Sequence, residues 1–359
     1  MKKIDRYIFK KFIGTFFFAI TMLILIVIII DLSENIDSFL RHNAPWQKVL
    51  LNYYVMSIPY YINLYIYLFT FIAVVFFTSK MAIHTEIIAI LSSGVSFWRL
   101  LYPYILAALT LAMLSLYLSN FLIPNTNEIR RQFKDEYMEQ LTQSGGRNIH
   151  IQVAKDEFVY VETYHIKKDL GYRFSWEKYD GTELKFKAVG DILYHDTLAP
   201  NHWRIDPYTF RYLEGGEESI VQGRYLDTVL NLLPTDFYKM KEDFEEMDFF
   251  ELRDHIQRMK AKGSEGVKAY QVEMNQRMAS PAAILILTLI GAALSSRKIR
   301  GGIGMHLGIG IAIAFSYILF MQISKTFAIS GELSPFLAAW IPNLIFCVLG
   351  VFLLLKAPK

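Results

Sequence analysis

The sequence predicts a membrane protein of six transmembrane α-helices, set three and three, with a periplasmic antiparallel β domain of jelly-roll-like type inserted between the halves. Three observations predict it. Residues 124–276 are the only long run that water would dissolve, and on either side lie three apolar stretches, each long enough to cross a bilayer. Within that run, apolar and polar residues alternate at the period of a strand. Lys and Arg crowd the short loops of one side only. The expected domain limits are 1–126, 127–270 and 271–359. A water-soluble chain of this make-up, 53% hydrophobic with a mean hydropathy of +0.27, would have to hide six apolar blocks in one core.

The amino terminus is basic, and an uncharged run of 19 residues follows from Phe12 to Ile30. Asp31, Leu32 and Ser33 come next without a small-residue cleavage pattern, so the run reads as an uncleaved first span and not as a secretory signal. Span two falls between Lys48 and Lys80, and span three between Arg99 and Glu128. Spans four, five and six are expected near 278–296, 301–324 and 333–355, where His306 is the one His, Asp, Glu, Lys or Arg. Pro59, Asn63, Pro342 and Asn343 inside spans predict faces packed on protein or lining a cavity, because lipid cannot satisfy freed backbone groups. Tyr53 and Tyr54 suit an interfacial aromatic belt equally well, whereas Tyr60 to Tyr67 lie deeper and want partners. The glycines at 301, 302, 304, 308 and 310 predict close helix approach.

Orientation follows from the cations of the short loops. Lys2, Lys3, Arg6, Lys10, Lys11, Lys80, Arg99, Arg297, Lys298, Arg300, Lys356 and Lys359 fall on one side, against Arg41, Lys48 and Lys325 on the other. Both termini are therefore expected in the cytoplasm, with the insert beyond the inner membrane. The single cysteine, Cys347, excludes an intrachain disulfide and a CxxC metal site, so the insert must fold by its own packing.

In the insert, Ile149, Ile151 and Val153 alternate with His150 and Gln152, and Tyr172, Phe174 and Trp176 with Arg173, Ser175 and Glu177. Leu184, Phe186 and Ala188 follow an Asp180-Gly181 turn, Tyr208, Phe210 and Tyr212 continue the pattern, and Gly215-Gly216 supplies another hairpin. Next, Asp248 can cap a helix whose apolar stripe is Phe249, Leu252, Ile256 and Met259 and which Gly263 ends. Arg277 is expected in a structural role, either snorkelling at the mouth of span four or pairing with Glu273 one turn earlier.

Between spans two and three, residues 79–98 carry Ile83, Ile87, Ile90 and Leu91 at helical spacing on one face, closed by Ser92-Ser93-Gly94. Such a segment either joins two spans along the interface or sits in the groove of a cytoplasmic ATPase. On the far side, Asp37 can pair with Arg41 at i,i+4. Alternatively, Arg41, Lys48 and Lys325 meet the phosphates of an anionic lipid headgroup.

Glu86-Ile87-Ile88-Ala89-Ile90 followed by Ser93-Gly94-Val95-Ser96 resembles the coupling-helix segment of the LptF/LptG (YjgP/YjgQ) permeases. Arg277-Met278-Ala279-Ser280-Pro281, Gly291, and Gly331-Glu332-Leu333-Ser334-Pro335 through Trp340-Ile341-Pro342-Asn343 are similar to that family's carboxy-terminal signatures. The resemblance implies a transmembrane subunit of the lipopolysaccharide export ABC transporter. It further implies a homologous LptF/LptG-type partner subunit, a cytoplasmic LptB-type ATPase dimer, a periplasmic LptA/LptC-type bridge protein, and lipopolysaccharide as cargo. Glu86 then matches the acid that meets the ATPase, with Ile83, Ile87, Ile90 and Leu91 filling its groove. His84-Thr85 before the acid and Ile87-Ile88 after it depart from a more Leu- and Arg-rich family version. In the β domain, Phe174, Trp176 and Phe186 would line a conduit for acyl chains.

The sequence contains no G-x-x-x-x-G-K-[ST], H-E-x-x-H or G-x-S-x-G, so no enzyme, cofactor or metal is expected, and ATP is used by the partner. Nothing points to nucleic acid. A second reading is a membrane-anchored receptor or sensor with a ligand-binding β domain, but every inner loop is too short for an effector. A lipid-modifying enzyme would need convergent charges within the spans, and these are scarce.

Overall fold

The computed structural model describes residues 2–138, 147–165, 168–196, 201–214, 217–238, 243–262, 266–297 and 302–357. Gly215-Gly216, Gly263, Gly301, Lys298, Arg300 and Lys359 lie outside the described residues. The chain forms two compact units. One comprises Met1–Phe133, Glu246–Leu252 and Lys268–Lys359, and the other Lys134–Glu245 and Arg253–Val267.

The first unit holds six transmembrane helices: α1 (Lys3–Arg41), α2 (Trp46–Ile83), α4 (Phe97–Tyr137), α7 (Val267–Ser295), α8 (Gly302–Ile329) and α9 (Pro335–Leu355). A short helix, α3 (Glu86–Ser92), joins α2 to α4. Ile8, Phe12, Phe16 and Ile20 bury one stripe of α1 at four-residue spacing, while Phe18, Met22 and Ile29 stay bare. Phe12 lies 5.7 Å from Phe77, which stacks on Tyr104 at 5.3 Å. Helix α2 widens into π geometry over Val49–Val55. The carbonyl of Val55 would be the α-helical partner of residue 59, but Pro59 has no N–H to give. Helix α4 widens likewise over Leu118–Leu122, where Asn120 Nδ2 bonds the Leu116 carbonyl at 2.9 Å.

Tyr53 and Tyr54 form no belt. Both are buried and pack edge-on against Phe39 of α1, and Tyr53 also meets Phe133 of α4. Asn343 ties three helices, accepting from Tyr317 Oη at 2.9 Å and donating to the Ala279 carbonyl at 3.0 Å. Buried His306 joins α8 to α2 through Ser79 Oγ at 2.8 Å.

Of the glycines in α8, Gly310 serves close packing. A Cβ there would lie 3.0 Å from Phe71 and 3.4 Å from Val75, whereas Gly304 and Gly308 face open space. Gly310→Val is therefore expected to destabilise this unit by about 1–3 kcal/mol. A thermal scan of the purified chain in detergent should show a lower midpoint for that variant and an unchanged one for Gly308→Val.

The second unit is a seven-stranded antiparallel sheet: β1 (Arg147–Ala154), β2 (Glu157–His165), β3 (Leu170–Asp180), β4 (Glu183–His195), β5 (His202–Glu214), β6 (Glu217–Gly223) and β7 (Leu226–Val229). Neighbours in sequence are neighbours in space, except that β7 returns to β5. Gly181, at φ 62, turns β3 into β4 as its Asp-Gly pair predicts.

A crease runs across the sheet. One cross-strand row reads Val161, Phe174, Gly190, Tyr208, Gly223, and the next inward row reads Tyr164, Gly171, Leu193, Ile205, Leu226. On β2, β3, β4 and β5 the inward step is three residues instead of two, although the register does not slip there. Residues three apart on a regular strand face opposite ways, so each strand must turn over between the rows. Arg173, at φ 53, and Pro207, which cannot donate to the ladder, lie in that interval. Tyr172, expected inward beside Phe174 and Trp176, is consequently exposed.

Beyond β7 the chain crosses the inner face. Asn231 Nδ2 bonds the Val153 carbonyl at 3.1 Å, and Trp203 Nε1 bonds the Leu232 carbonyl at 2.9 Å. Phe237, in α5 (Thr235–Tyr238), stacks on Tyr164 at 4.2 Å. This crossing covers Leu193, Trp203 and Ile205, which share one buried cluster with Leu232 and Phe237. Helix α6 (Phe249–Lys262) begins as predicted: Asp248 Oδ1 accepts from the Phe250 and Glu251 amides, and Glu251 reaches back to the Asp248 amide at 3.1 Å.

Candidate functional site

Helix α3 is set off by Thr85, whose φ of 60 breaks the helix after Ile83 and leaves that residue in α2. The stripe expected to fill a partner's groove is turned toward the chain's own spans. Ile87 is 1% exposed within the helical core, with Ile90 and Leu91 half-buried against it, and Ile83 is half-buried at the end of α2. The physical reason is that a seven-residue helix gains little from its own backbone and is held by the apolar face it buries on its own bundle. What α3 presents outward is Ile88, Ala89 and Ser92, with Ile88 54% exposed, and His84 is exposed just before it. Glu86 opens the helix, where a carboxylate favours the positive end of the dipole, and accepts from Tyr7 Oη of α1 at 3.0 Å.

At the other end of the bundle, Arg41 Nε donates to the Asp37 carbonyl at 3.3 Å, so the pair expected through the carboxylate is made through the backbone. Lys48 is exposed at the start of α2. Lys325 lies 3.8 Å from Glu273, which also accepts from Arg277 Nε at 3.1 Å. The bond to Glu273 bears out the structural pairing, and Arg277 Nη1 also donates to the Met247 carbonyl at 2.8 Å. Sequence reasoning missed Arg130, whose guanidinium stands 5.0 Å from the Tyr60 ring. Arg130 sits where α4 continues beyond span three, past the short-loop positions that the charge count weighed. The signal was the Arg130-Arg131 doublet just after Glu128.

In the β domain, Phe174, Trp176 and Phe186 divide. Phe174 is fully buried floor, while Phe186 leads outward through a run of rings. Trp176 meets Phe186 at 5.1 Å, and Phe186 meets Phe210 at 5.3 Å and Tyr212 at 5.1 Å. Tyr212 and Val221 complete this face half-open to solvent. Trp176 Nε1 is buried without a hydrogen-bond partner among the described residues. At the covered end lies a polar recess of about 600 Å³ lined by His195, Asp196, His202, Arg204 and Asp227. There the hydrogen-bonded Arg204 guanidinium holds the Asp227 carboxyl below the usual carboxylate range.

Among the described residues, no group of His, Cys, Asp and Glu could hold a metal ion. One unit is a bundle with a short helix packed at one end, and the other a β domain with one open aromatic face. A family model described as "Lipopolysaccharide export system permease LptF/LptG" matches residues 6–356. None of the curated proteins matches the chain. A match across nearly the whole chain, spans and β domain together, means that this protein belongs to the LptF/LptG family of lipopolysaccharide export system permeases.

Proposed function

We propose that the chain is a transmembrane subunit of an ABC transporter that extracts lipopolysaccharide from the inner membrane and passes it to a periplasmic bridge. Its work is driven by a separate cytoplasmic ATPase. The observation that carries this reading is α3, a helix rooted in the core by Ile87 and showing Glu86, Ile88 and Ser92 beside the bundle. That arrangement suits a docking element, since a rigidly rooted helix passes on displacement where a loose one would absorb it. The partners are a homologous LptF/LptG-type subunit, an LptB-type ATPase dimer that binds the ATP, and an LptA/LptC-type bridge. Both termini and α3 are cytoplasmic, and the β domain is periplasmic. Arg41 and Lys48, joined by Arg130 and with Lys325 beside Glu273, meet the phosphates of the headgroup. Phe174 forms the floor, and Trp176 and Phe186 the lining, of an apolar path for acyl chains.

The test is co-purification of the chain, with and without Glu86→Arg, from cells co-expressing the host's candidate exporter ATPase. A charge-assisted contact contributes about 1.5–3 kcal/mol, so reversal should lower capture or coupled turnover roughly ten- to a hundredfold. Absence of any ATPase from the unchanged chain would sink the proposal.

A further inference from the structure

We infer that Asp5, Arg99 and Tyr7 form a latch that carries the movement of α3 to span one, making them positioning residues of ATP-coupled transport. The inference rests on the exporter reading above. Helix α3 is joined by the chain itself to α2 and α4, yet two side-chain bridges also tie this connection to the first turns of α1, one from the head of α3 and one from the head of α4. Tyr7 Oη donates to Glu86 at 3.0 Å, at the start of α3. Arg99, in the first turn of α4, donates to Asp5 Oδ2 at 2.7 Å. The same Asp5 oxygen accepts from the Lys2 amide at 2.9 Å, so the carboxylate is held from both sides and is 4% exposed. The Arg99 guanidinium lies 5.1 Å from the Tyr102 ring, and Lys11 Nζ lies 5.3 Å from the Tyr7 ring.

These contacts span the whole connection, from the head of α3 to the head of α4, and close it against one face of α1. A buried carboxylate held by a guanidinium is directional and stiff, unlike the apolar packing of Ile8 and Phe12 just beyond it, which tolerates sliding. Displacement of α3 is therefore passed to α1 as well as to the spans on either side of it. Span one is the helix with the barest flank, so its movement changes what it presents to lipid or to a partner subunit.

The experiment uses the full chain, co-purified with its ATPase and partner subunit, in proteoliposomes containing lipopolysaccharide. ATP hydrolysed and lipid released are both measured for Asp5→Asn, Arg99→Gln, Arg99→Lys and Tyr7→Phe. The latch predicts that Asp5→Asn and Arg99→Gln keep the ATPase bound and hydrolysing, while lipid released per ATP falls about fivefold or more. Arg99→Lys, which keeps the charge, should restore most of it. An unchanged ratio in assembled complexes overturns the inference, and so does a parallel loss of hydrolysis and release, which a merely structural pair would give. If the charge variants do not accumulate, Tyr7→Phe decides, since it deletes one exposed hydrogen bond and keeps the ring. Failure of the unchanged chain to capture an ATPase refutes the exporter reading instead, and is thereby told apart from failure of the latch.

Discussion

Phe174→Ala is expected to lower the stability of the β domain by about 3–5 kcal/mol, the range for deleting a buried aromatic ring. Phe174 has no exposed surface and stands between Val161 and Gly190 in the row that borders the crease. Glycine on one side cannot expand to fill the space, so the cavity stays. Hydrogen exchange of the full chain in detergent should show the amides of β2 to β4 losing protection together, while those of α7 to α9 are unaffected. A loss below about 1 kcal/mol, typical of surface changes, would mean that the ring is not the floor described. The same burial makes Phe174→Asp a poor probe of an acyl-chain path, because an unpaired buried carboxylate unfolds the domain before any lipid is involved. Tyr212→Asp, on the half-open side of the aromatic run, keeps the fold and should impair lipid transfer if that face shelters acyl chains.

Arg277→Met is expected to destabilise the membrane unit by about 1.5–3 kcal/mol, because it removes a charge-assisted hydrogen bond to half-buried Glu273 and the one to the Met247 carbonyl. The Arg277 side chain is only 6% exposed. Its loss removes both the bond to Glu273 and the one to the Met247 carbonyl, and leaves Glu273 with Lys325 at 3.8 Å. Met247 belongs to the short segment Glu246–Leu252 that packs within this unit, also held there by Arg131 on Glu246 at 2.6 Å. Thermal unfolding of the purified chain should therefore move to lower temperature. The double variant Arg277→Met with Glu273→Gln should recover part of the loss, since a neutral amide at this position does not need the guanidinium to offset its charge. If the double variant is no better than the single one, the cost lies in the Met247 bond and not in the ion pair.

Much of this architecture is legible in local pattern. Hydropathy locates the six spans because each helix satisfies its own backbone and needs only length and apolarity to cross lipid. The Asp180-Gly181 turn and the Asp248 cap are read from a few adjacent residues, as their hydrogen bonds span only two or three positions. The pairing of Arg277 with Glu273 follows from one helical turn. The outward extensions of α1 and α4 were less legible, because their polar residues stop a hydropathy window but not a helix.

The sequence by itself determined the order of elements, the strand faces on either side of the crease, and the family, all of which rest on short-range periodicity or on motifs read in order. Tertiary structure alone decided which way those faces turn. Period two carries Tyr172 inward with Phe174, yet the crease turns Tyr172 out, because the strand rolls over at Arg173 to keep both rows in one core. Helical spacing puts Ile87, Ile90 and Leu91 on one face of α3 but does not say whether that face meets a partner or its own spans. It buries Ile87 in the bundle because that apolar surface lies against α3 in the folded chain itself. Asp5 and Arg99 stand 94 positions apart, and no periodicity relates residues brought together only by the packing of α1 on α4.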